Sequence, residues 1–511
     1  MKKRNTLLGS ALMLTGVNLL LRFAGTTFQV WLSGRIGAAG IGLLQLILSV
    51  NMLVLTLGAA GGRTTAMYLT AEALGQGRHS DADRILSGCF VYSMICSGLV
   101  SLALYSLSPA VARLWIGDIQ SLSSLRTWAV FLPVICLNGV MTGYFTAANR
   151  IGTLAAVEVA EQSFSILVTV LAFSILDTHN RSEACRSVVL GSCLGSILSL
   201  GALMALYGAA GQDGHSRIST AKPILRCALP LAVADDLKAG ISAVENLMVP
   251  RRLALYAGVT DPLAAFGRVS GMVFPVMMLP SAILASLGEV LIPELARCRA
   301  VGSRHRIRYL VRRNLRGALV YGLCWGGLLF LLAEPLCARL YPGEDIAPLM
   351  KRFALLVPML YCDQLADAMT KGLGQQAACA RYSVISNVTD VALMFVLLPQ
   401  LGLDGYYISF ALTHGLNFAL SLRKTLAVGG VRLNRHFALM TPACAAFALF
   451  GGSCFTGPLR RAAAFLGLFF GLCFYMGLLG KGDIRCLKGL INGRSASSEE
   501  PLISSVLVEN F

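Results

Sequence analysis

Residues 228–250 read ALPLAVADDLKAGISAVENLMVP, an apolar run about as long as a bilayer is thick that is interrupted by Asp235, Asp236, Lys238 and Glu245. On a 3.6-residue wheel Asp235, Lys238 and Glu245 fall within about 80° of one another, and Asp236 lies about 100° from Asp235. An ionisable group at mid-helix costs about 2.5 to 3.5 kcal/mol on insertion scales, so several on one lipid-facing helix would nearly cancel its apolar driving force. They are expected to face an aqueous cavity or one another. An Asp235–Lys238 pair that merely permits insertion is the simpler alternative.

The rest of the chain agrees with membrane embedding. Of 511 residues, 56% are hydrophobic and 14% charged, against about 25% charged in a soluble domain. A solvated surface of this size would need more charge than the chain carries. The 15 cysteines are scattered, mostly in apolar segments, with no CxxC pair, so they imply neither a disulfide framework nor a zinc site. The start, MKKRNTLLGSALMLTG, has the basic front of a secretion signal, but its apolar run continues too far, and it is read as an uncleaved first spanning helix. The net charge of +17 is not gathered into a nucleic-acid module. Its densest block, Arg297 to Arg316, lies between two apolar runs and reads as a cytoplasmic loop.

Period-2 alternation is absent, which excludes a β-barrel and leaves helices as the spanning element. Windows of about 20 apolar residues predict an all-α integral membrane protein of about 14 transmembrane helices. The first two are expected at 7–32 and 41–70, the seventh at 225–249, the eighth at 263–292 and the ninth at 316–338. With the N-terminus cytoplasmic, inside segments hold 27 of the 43 Lys and Arg and outside segments 12, so both termini are placed inside. FLPVICLNGVMTGYFTAANRIG (131–152) aligns with LLVPMLYCDQLADAMTKGLGQQ (355–376), setting Pro133 over Pro358 and Asn138 over Asp363. The expected organisation is two pseudo-symmetric six-helix lobes plus a C-terminal helix pair. The lobes are 1–210 and 211–424, the second containing a basic cytoplasmic loop at 293–316. The pair covers 425–480 and a cytoplasmic tail 481–511.

Polar stripes recur on other helices. Asn18, Arg22, Gly25 and Gln29 share one face of the first, and Arg268, Gly271, Pro275, Ser286 and Glu289 share one face of the eighth. Arg63 adds a cation on the second helix, and Glu158 and Glu161 sit three apart on the fifth. These stripes predict a shared lumen lined by cations. Arg22 has no acidic neighbour within four residues, and its guanidinium fork suits phosphate oxygens, which favours an anionic, phosphorylated solute over a cationic drug. Expected substrate-binding residues are Arg22, Asn18, Gln29, Arg63, Lys238 and Arg268. Asp235, Asp236, Glu245, Glu158, Glu161 and Glu289 are candidates for ion coupling or internal charge pairing.

The segments LRFAG with GRIGAAGIGLLQL, TGYFTAANRIG with AEQ, LMVPRRL, FGRVSGMVFPVMMLP with IPELA, KGLGQ and LPQLGLDGYY follow in order from about residue 7 to 480. In them the chain resembles the stage V sporulation protein B and polysaccharide biosynthesis proteins. That family lies in the multidrug/oligosaccharidyl-lipid/polysaccharide exporter superfamily, which includes the MurJ-type lipid II flippases. The resemblance implies fourteen helices in two lobes and transfer of an undecaprenyl-pyrophosphate-linked glycan, such as the peptidoglycan precursor lipid II, from the inner to the outer leaflet of a bacterial cytoplasmic membrane. It also implies that Arg22 matches the first of two family arginines that engage the pyrophosphate. The second falls on Gln29, and Arg268 replaces a family glutamine. No bond is broken in such transport, so no catalytic residue, cofactor or metal is expected. With no Walker-type GxxxxGKS/T stretch, the drive falls to the membrane potential, product consumption or a monovalent cation or proton. Two alternatives stand beside this reading: an ion-coupled multidrug exporter, and a non-transport scaffold that gathers enzymes of cell-wall or spore-cortex synthesis.

Overall fold

The computed structural model describes residues 2–175, 181–208, 221–432 and 434–478. The expected tail at 481–511 lies outside them. Helices joined by short turns make up most of these residues: α1 (Lys2–Ala59), α2 (Gly62–Gly75), α3 (His79–Ala110), α4 (Leu122–Ala147), α5 (Ile151–Ile175), α6 (Arg181–Gly208), α7 (Ala221–Leu253), α8 (Pro262–Phe266), α9 (Phe274–Met278), α10 (Ser281–Ala300), α11 (Arg304–Leu340), α12 (Ala347–Ala354), α13 (Val357–Gly372), α14 (Gln376–Leu401), α15 (Leu403–Gly429), α16 (Arg435–Ser453) and α17 (Pro458–Tyr475). A wider-wound π segment, Gly267–Val273, joins α8 to α9.

Among the described residues nine helical stretches are long and apolar enough to cross a bilayer, or ten if the bent pair Pro262–Met278 and Ser281–Ala300 is one span. The figure of fourteen stands as an expectation beside them. Helix α7 is not among the nine, because its four ionisable groups fall so close together. Large apolar side chains such as Leu99, Leu102, Ile175, Phe447 and Phe450 lie exposed on the outer surface, where lipid tails cover them.

Three elements differ from expectation. First, the two opening helices, expected at 7–32 and 41–70, run on through residue 59. The turn between them is a single kink at Gly37 (φ 67, ψ 177), a left-handed φ that glycine adopts without steric cost. The break comes later, at Ala60 (φ 43) and Gly61 (φ 72). Second, the eighth helix is bent by 61° at Leu279–Pro280. Third, most of the basic stretch 293–316, expected as a loop, is helical. Helix α10 extends to Ala300, a short turn follows, and α11 starts at Arg304. Arginine is a good helix former, and positive charge does not by itself unwind a helix whose other face is packed.

Packing repeats along the chain. Helix α4 lies against α2, α3 and α6, and α5 against α6. Helix α13 lies against α10, α11 and α15, and α14 against α15. Helices α1 and α7 join these sets: α1 packs on α7, α8 and the π segment, and α7 packs on α14. The largest buried cluster therefore runs from Leu32, Ile41 and Leu44 through Phe266 and Met272 to Tyr361 and Leu365. The last two helices, α16 and α17, pack on α11 through Phe465, whose ring lies over Gly327.

Candidate substrate-binding site

The site is built around the bend in the eighth span. Pro280 has no N–H to give, and the N–H of Ala282 turns to Leu279 O (3.3 Å) instead of Met278 O, so the bend leaves carbonyls without helical partners. Side chains from three other helices collect them. Tyr361 donates to Met277 O (2.9 Å) and Tyr321 to Pro280 O (2.8 Å), their rings stacked with centroids 5.8 Å apart. Ser281 donates to Met278 O (2.7 Å). From α1, Arg22 reaches the same Met278 O and the Ser281 hydroxyl, both at 3.4 Å. Two turns further along, Gln29 donates to Gly271 O (3.3 Å) and Tyr341 to Met272 O (3.0 Å) in the π segment, where wide winding also frees carbonyls.

The polar stripe of α1 thus faces the backbone of the broken helix. Arg22 remains exposed and, among the described residues, has no carboxylate within ion-pair distance, so most of its donors are free for an incoming anion. Asn18 lies one turn away on the same face, half-buried. Behind α1, Gln162 of α5 donates to Leu21 O (3.1 Å), fixing the turn that carries Arg22. Tyr361→Phe is expected to lower stability by about 1–3 kcal/mol, because Met277 O is left buried without a donor. Thermal unfolding in detergent measures this, and a melting temperature equal to wild type would show that the phenol does not hold the bend.

The other predicted site residues are distributed more widely than a single lumen requires. Arg268 is paired with Glu344 (2.8 Å), in the turn after α11. It lies about 15 Å along the eighth span from the point that Arg22 touches. Arg63 is exposed in the first turn of α2, just past the break, and rides over Gly139 and Gly143 of α4 within electrostatic reach of Glu158. On α7, Asp235 and Lys238 are both exposed and do not form an ion pair among the described residues. Asp236 is half-buried beside Thr56, and one of its oxygens is buried without a partner. Glu245 shares the wheel face of Asp235 but not its surroundings. It is half-buried, close to Asp390 of α14 and to Tyr406. Glu289 is exposed on α10 beside Val290.

Two interior polar networks join the helices around the site. In one, Glu161 of α5 accepts from Ser196 (2.9 Å) and Asn138 (3.5 Å), and Ser199 donates to Asn138 Oδ1 (3.1 Å). In the other, Asn417 of α15 donates to both oxygens of Asp363 (2.9 and 3.1 Å), and Ser421 donates to Asp367 (2.5 Å). Asn138 and Asp363, aligned in the sequence, each stand at the centre of one network. Asp390, which accepts from Ser409 (2.6 Å) and Thr413 (3.1 Å), Glu344 and the three tyrosines were not singled out from the sequence. Pro280 was the available signal for the tyrosines, since a proline inside a span implies donors elsewhere. Among the described residues no group of three or more His, Cys, Asp or Glu is placed to hold a metal ion.

Comparison with known proteins gives this geometry a context. No family model matches the chain. The chain is 25% identical over 419 residues to stage V sporulation protein B of Bacillus subtilis (strain 168), covering 79% of this chain and 80% of that one. It is 22% identical over 282 residues to sporulation protein YkvU of the same organism, covering 52% and 61%. Among solved structures it is similar to the lipid II flippase MurJ in an inward closed conformation, with a TM-score of 0.70, 12% identity and coverage of 91% of this chain and 99% of that one. An inward-facing multidrug resistance MATE family transporter of the MOP superfamily gives a TM-score of 0.67 at 14% identity, covering 81% and 98%. The chain is an all-α, multi-pass membrane protein that shares the fold of these two transporters. The resemblance to the stage V sporulation protein B family, drawn above from the motifs, is borne out.

Proposed function

We propose that the chain carries an undecaprenyl-pyrophosphate-linked glycan precursor, of the lipid II type, from one leaflet of a bacterial cytoplasmic membrane to the other by alternating access. The observation that carries this reading is Arg22: an exposed guanidinium without a carboxylate partner, placed at the bend of a broken helix. Moving a pyrophosphate through hydrocarbon unaided is prohibitive, because its charges lose their hydration. An arginine fork replaces part of that water. Since Arg22 also holds Met278 and Ser281, an anion that draws it away loosens the bend at the moment of binding. Asn18, Gln29, Arg63, Lys238 and Arg268 are proposed to act with it, on a path between two lobes of residues 1–210 and 211–424, with both termini in the cytoplasm and no covalent step. The relative named for sporulation and the structure named a lipid II flippase support this reading.

Purified full-length chain in vesicles that contain labelled lipid-linked precursor tests it. Wild type is expected to raise leaflet transfer well above empty vesicles, Arg22→Ala to lower transfer by about tenfold or more, and Arg22→Lys to retain part of it. Transfer no faster than in empty vesicles, with folded protein, removes the proposal.

A second reading is favoured by one specific observation. Glu245 of α7 and Asp390 of α14 are two carboxyl groups placed close together inside the helices. Such a pair suits an ion-coupled exporter, and the structural neighbours named as MATE transporters agree. Proton-driven export of a cationic dye, lost in Asp390→Asn, would place that reading first. Retained cellular activity after Arg22, Lys238 and Arg268 are all changed to alanine would instead favour a scaffold for wall-building enzymes.

A further inference from the structure

The cations of the C-terminal half are treated differently at its two ends. At the end that holds the turn after α11, carboxylates accompany them: Arg268 with Glu344 (2.8 Å), Lys351 with Glu334 (2.5 Å) and Arg352 with Asp404. At the opposite end, where α11 begins, Arg306 and Arg297 share the single carboxylate of Glu294, at 2.8 and 3.8 Å. Arg304, Arg308 and Arg312 have no ion-pair partner among the described residues. All three are exposed.

The pattern follows from how the first turns of α11 pack. Ile307 and Val311 are buried, with Gly429 of α15 directly against them, and Arg308 lies beside Gly430. The rest of the circumference, an arc of about 200°, carries Arg304, Arg308, Arg312, His305, Tyr309, Arg313 and Arg306. All of these are exposed. Arg313 donates to the Tyr309 hydroxyl (2.8 Å), and Arg316 lies over the Phe437 ring at 4.8 Å, so the arginine face meets aromatic groups at its edge. Exposed Val301 stands in the turn just before it.

Depth completes the argument. Helix α11 has 37 residues, about 55 Å, against about 30 Å of hydrocarbon and 40–45 Å with headgroups. Its uncharged stretch begins at Gly317. Arg316 therefore marks the hydrocarbon edge, Arg312 sits about 6 Å beyond it in the headgroup layer, and Arg308 and Arg304 lie within about a Debye length of that layer.

We infer that the exposed arginine face of the first turns of α11, centred on Arg304, Arg308 and Arg312, is a binding surface for anionic phospholipid headgroups. Arg304, Arg308 and Arg312 have no carboxylate partner among the described residues, Arg312 stands at the depth of lipid phosphates with the other two within reach of their field, and exposed Tyr309 between them suits an interface rather than bulk water. An acidic soluble protein would meet the charge but not the depth. The inference rests on membrane embedding alone and not on the proposed flippase activity.

The test uses full-length protein reconstituted in phosphatidylcholine vesicles with a trace of spin-labelled phosphatidylglycerol or spin-labelled phosphatidylcholine. The fraction of each label immobilised at the protein gives their relative association. Wild type is expected to prefer the glycerol headgroup by about threefold or more, since each basic residue near the surface contributes to anionic attraction. The preference is expected to vanish in about 0.5 M NaCl. It is expected to fall to near unity in R304Q/R308Q/R312Q, to persist in R304K/R308K/R312K, and to be unchanged in K351Q/R352Q at the opposite end. The salt arm needs no variant, so a glutamine variant that fails to fold still leaves the inference exposed to refutation. No preference in wild type, a salt-insensitive preference, or one lost equally in K351Q/R352Q overturns it.

Discussion

Gly267→Val is expected to cost more than 3 kcal/mol and to lower the melting temperature by more than about 5 °C, well beyond the effect of Gly271→Ala on the same face. The reason is what a side chain would meet. A Cβ on Gly267 would stand 2.0 Å from Ala38 O and 2.8 Å from Gly42 N, both main-chain atoms of α1. Gly42 answers in kind, its own Cβ position being 2.2 Å from Leu263 O. Backbone has no rotamer to retreat into, so α1 and the eighth span must separate. At Gly271 the first obstacle is the Cγ2 methyl of buried Ile41, at 1.9 Å, and the nearest atoms all belong to side chains, so a local shift there demands less than separating two main chains. Small residues of this kind let membrane helices approach until their main chains touch. Thermal unfolding of both variants in the same detergent decides the matter. Equal melting temperatures would mean that the crossing of α1 over the π segment is looser than described.

Asp390→Ala carries the second large effect. Asp390 is buried, accepts from Ser409 and Thr413, and lies close to half-buried Glu245. Its removal leaves a cavity and takes the short bond from Ser409, which keeps only a 3.4 Å contact to the Asp390 carbonyl, while Thr413 still has Ser409 O at 2.9 Å; the expected loss is about 2 kcal/mol or more. Asp390→Asn keeps the shape and the hydroxyl partners, and is expected to lose about half as much. Combining Asp390→Ala with Glu245→Leu removes the neighbouring acid, so the double variant is expected to be more stable than the sum of the singles by about 1–3 kcal/mol. Strict additivity would show that the two carboxyl groups do not share one environment.

Both effects depend on contacts that the sequence conveys only in part. Membrane class, helical content and the special nature of α7 follow from hydropathy and from charge where lipid should be, and these are local properties of the chain. Glu245 and Asp235 share a wheel face, yet one is half-buried near Asp390 of α14 and the other exposed. A wheel gives direction but not the neighbour that a helix 33 residues long meets at each level. Gln29 and Arg22 were read as lining one passage, and they do share a face, but that face meets the freed carbonyls of the broken helix. Pro280 announces that the span is irregular. That Tyr321 and Tyr361 satisfy it, from 41 and 84 residues further on, is a tertiary fact with no trace in local pattern. The same limit explains the basic stretch at 293–316. Charge density suggested a loop, whereas helix continuation was decided by Ile307 and Val311, two apolar residues whose spacing suits one buried edge.

The two interior networks place like chemistry at unlike addresses. Around Asn138 the amide is on α4 and the acid on α5; around Asp363 the acid is on α13 and the amide on α15. Each amide–acid pair is completed by helices of its own half of the chain, and among the described residues neither network calls on the other half for a partner. These bonds therefore brace each half internally and do not cross the contact of α1 with α7.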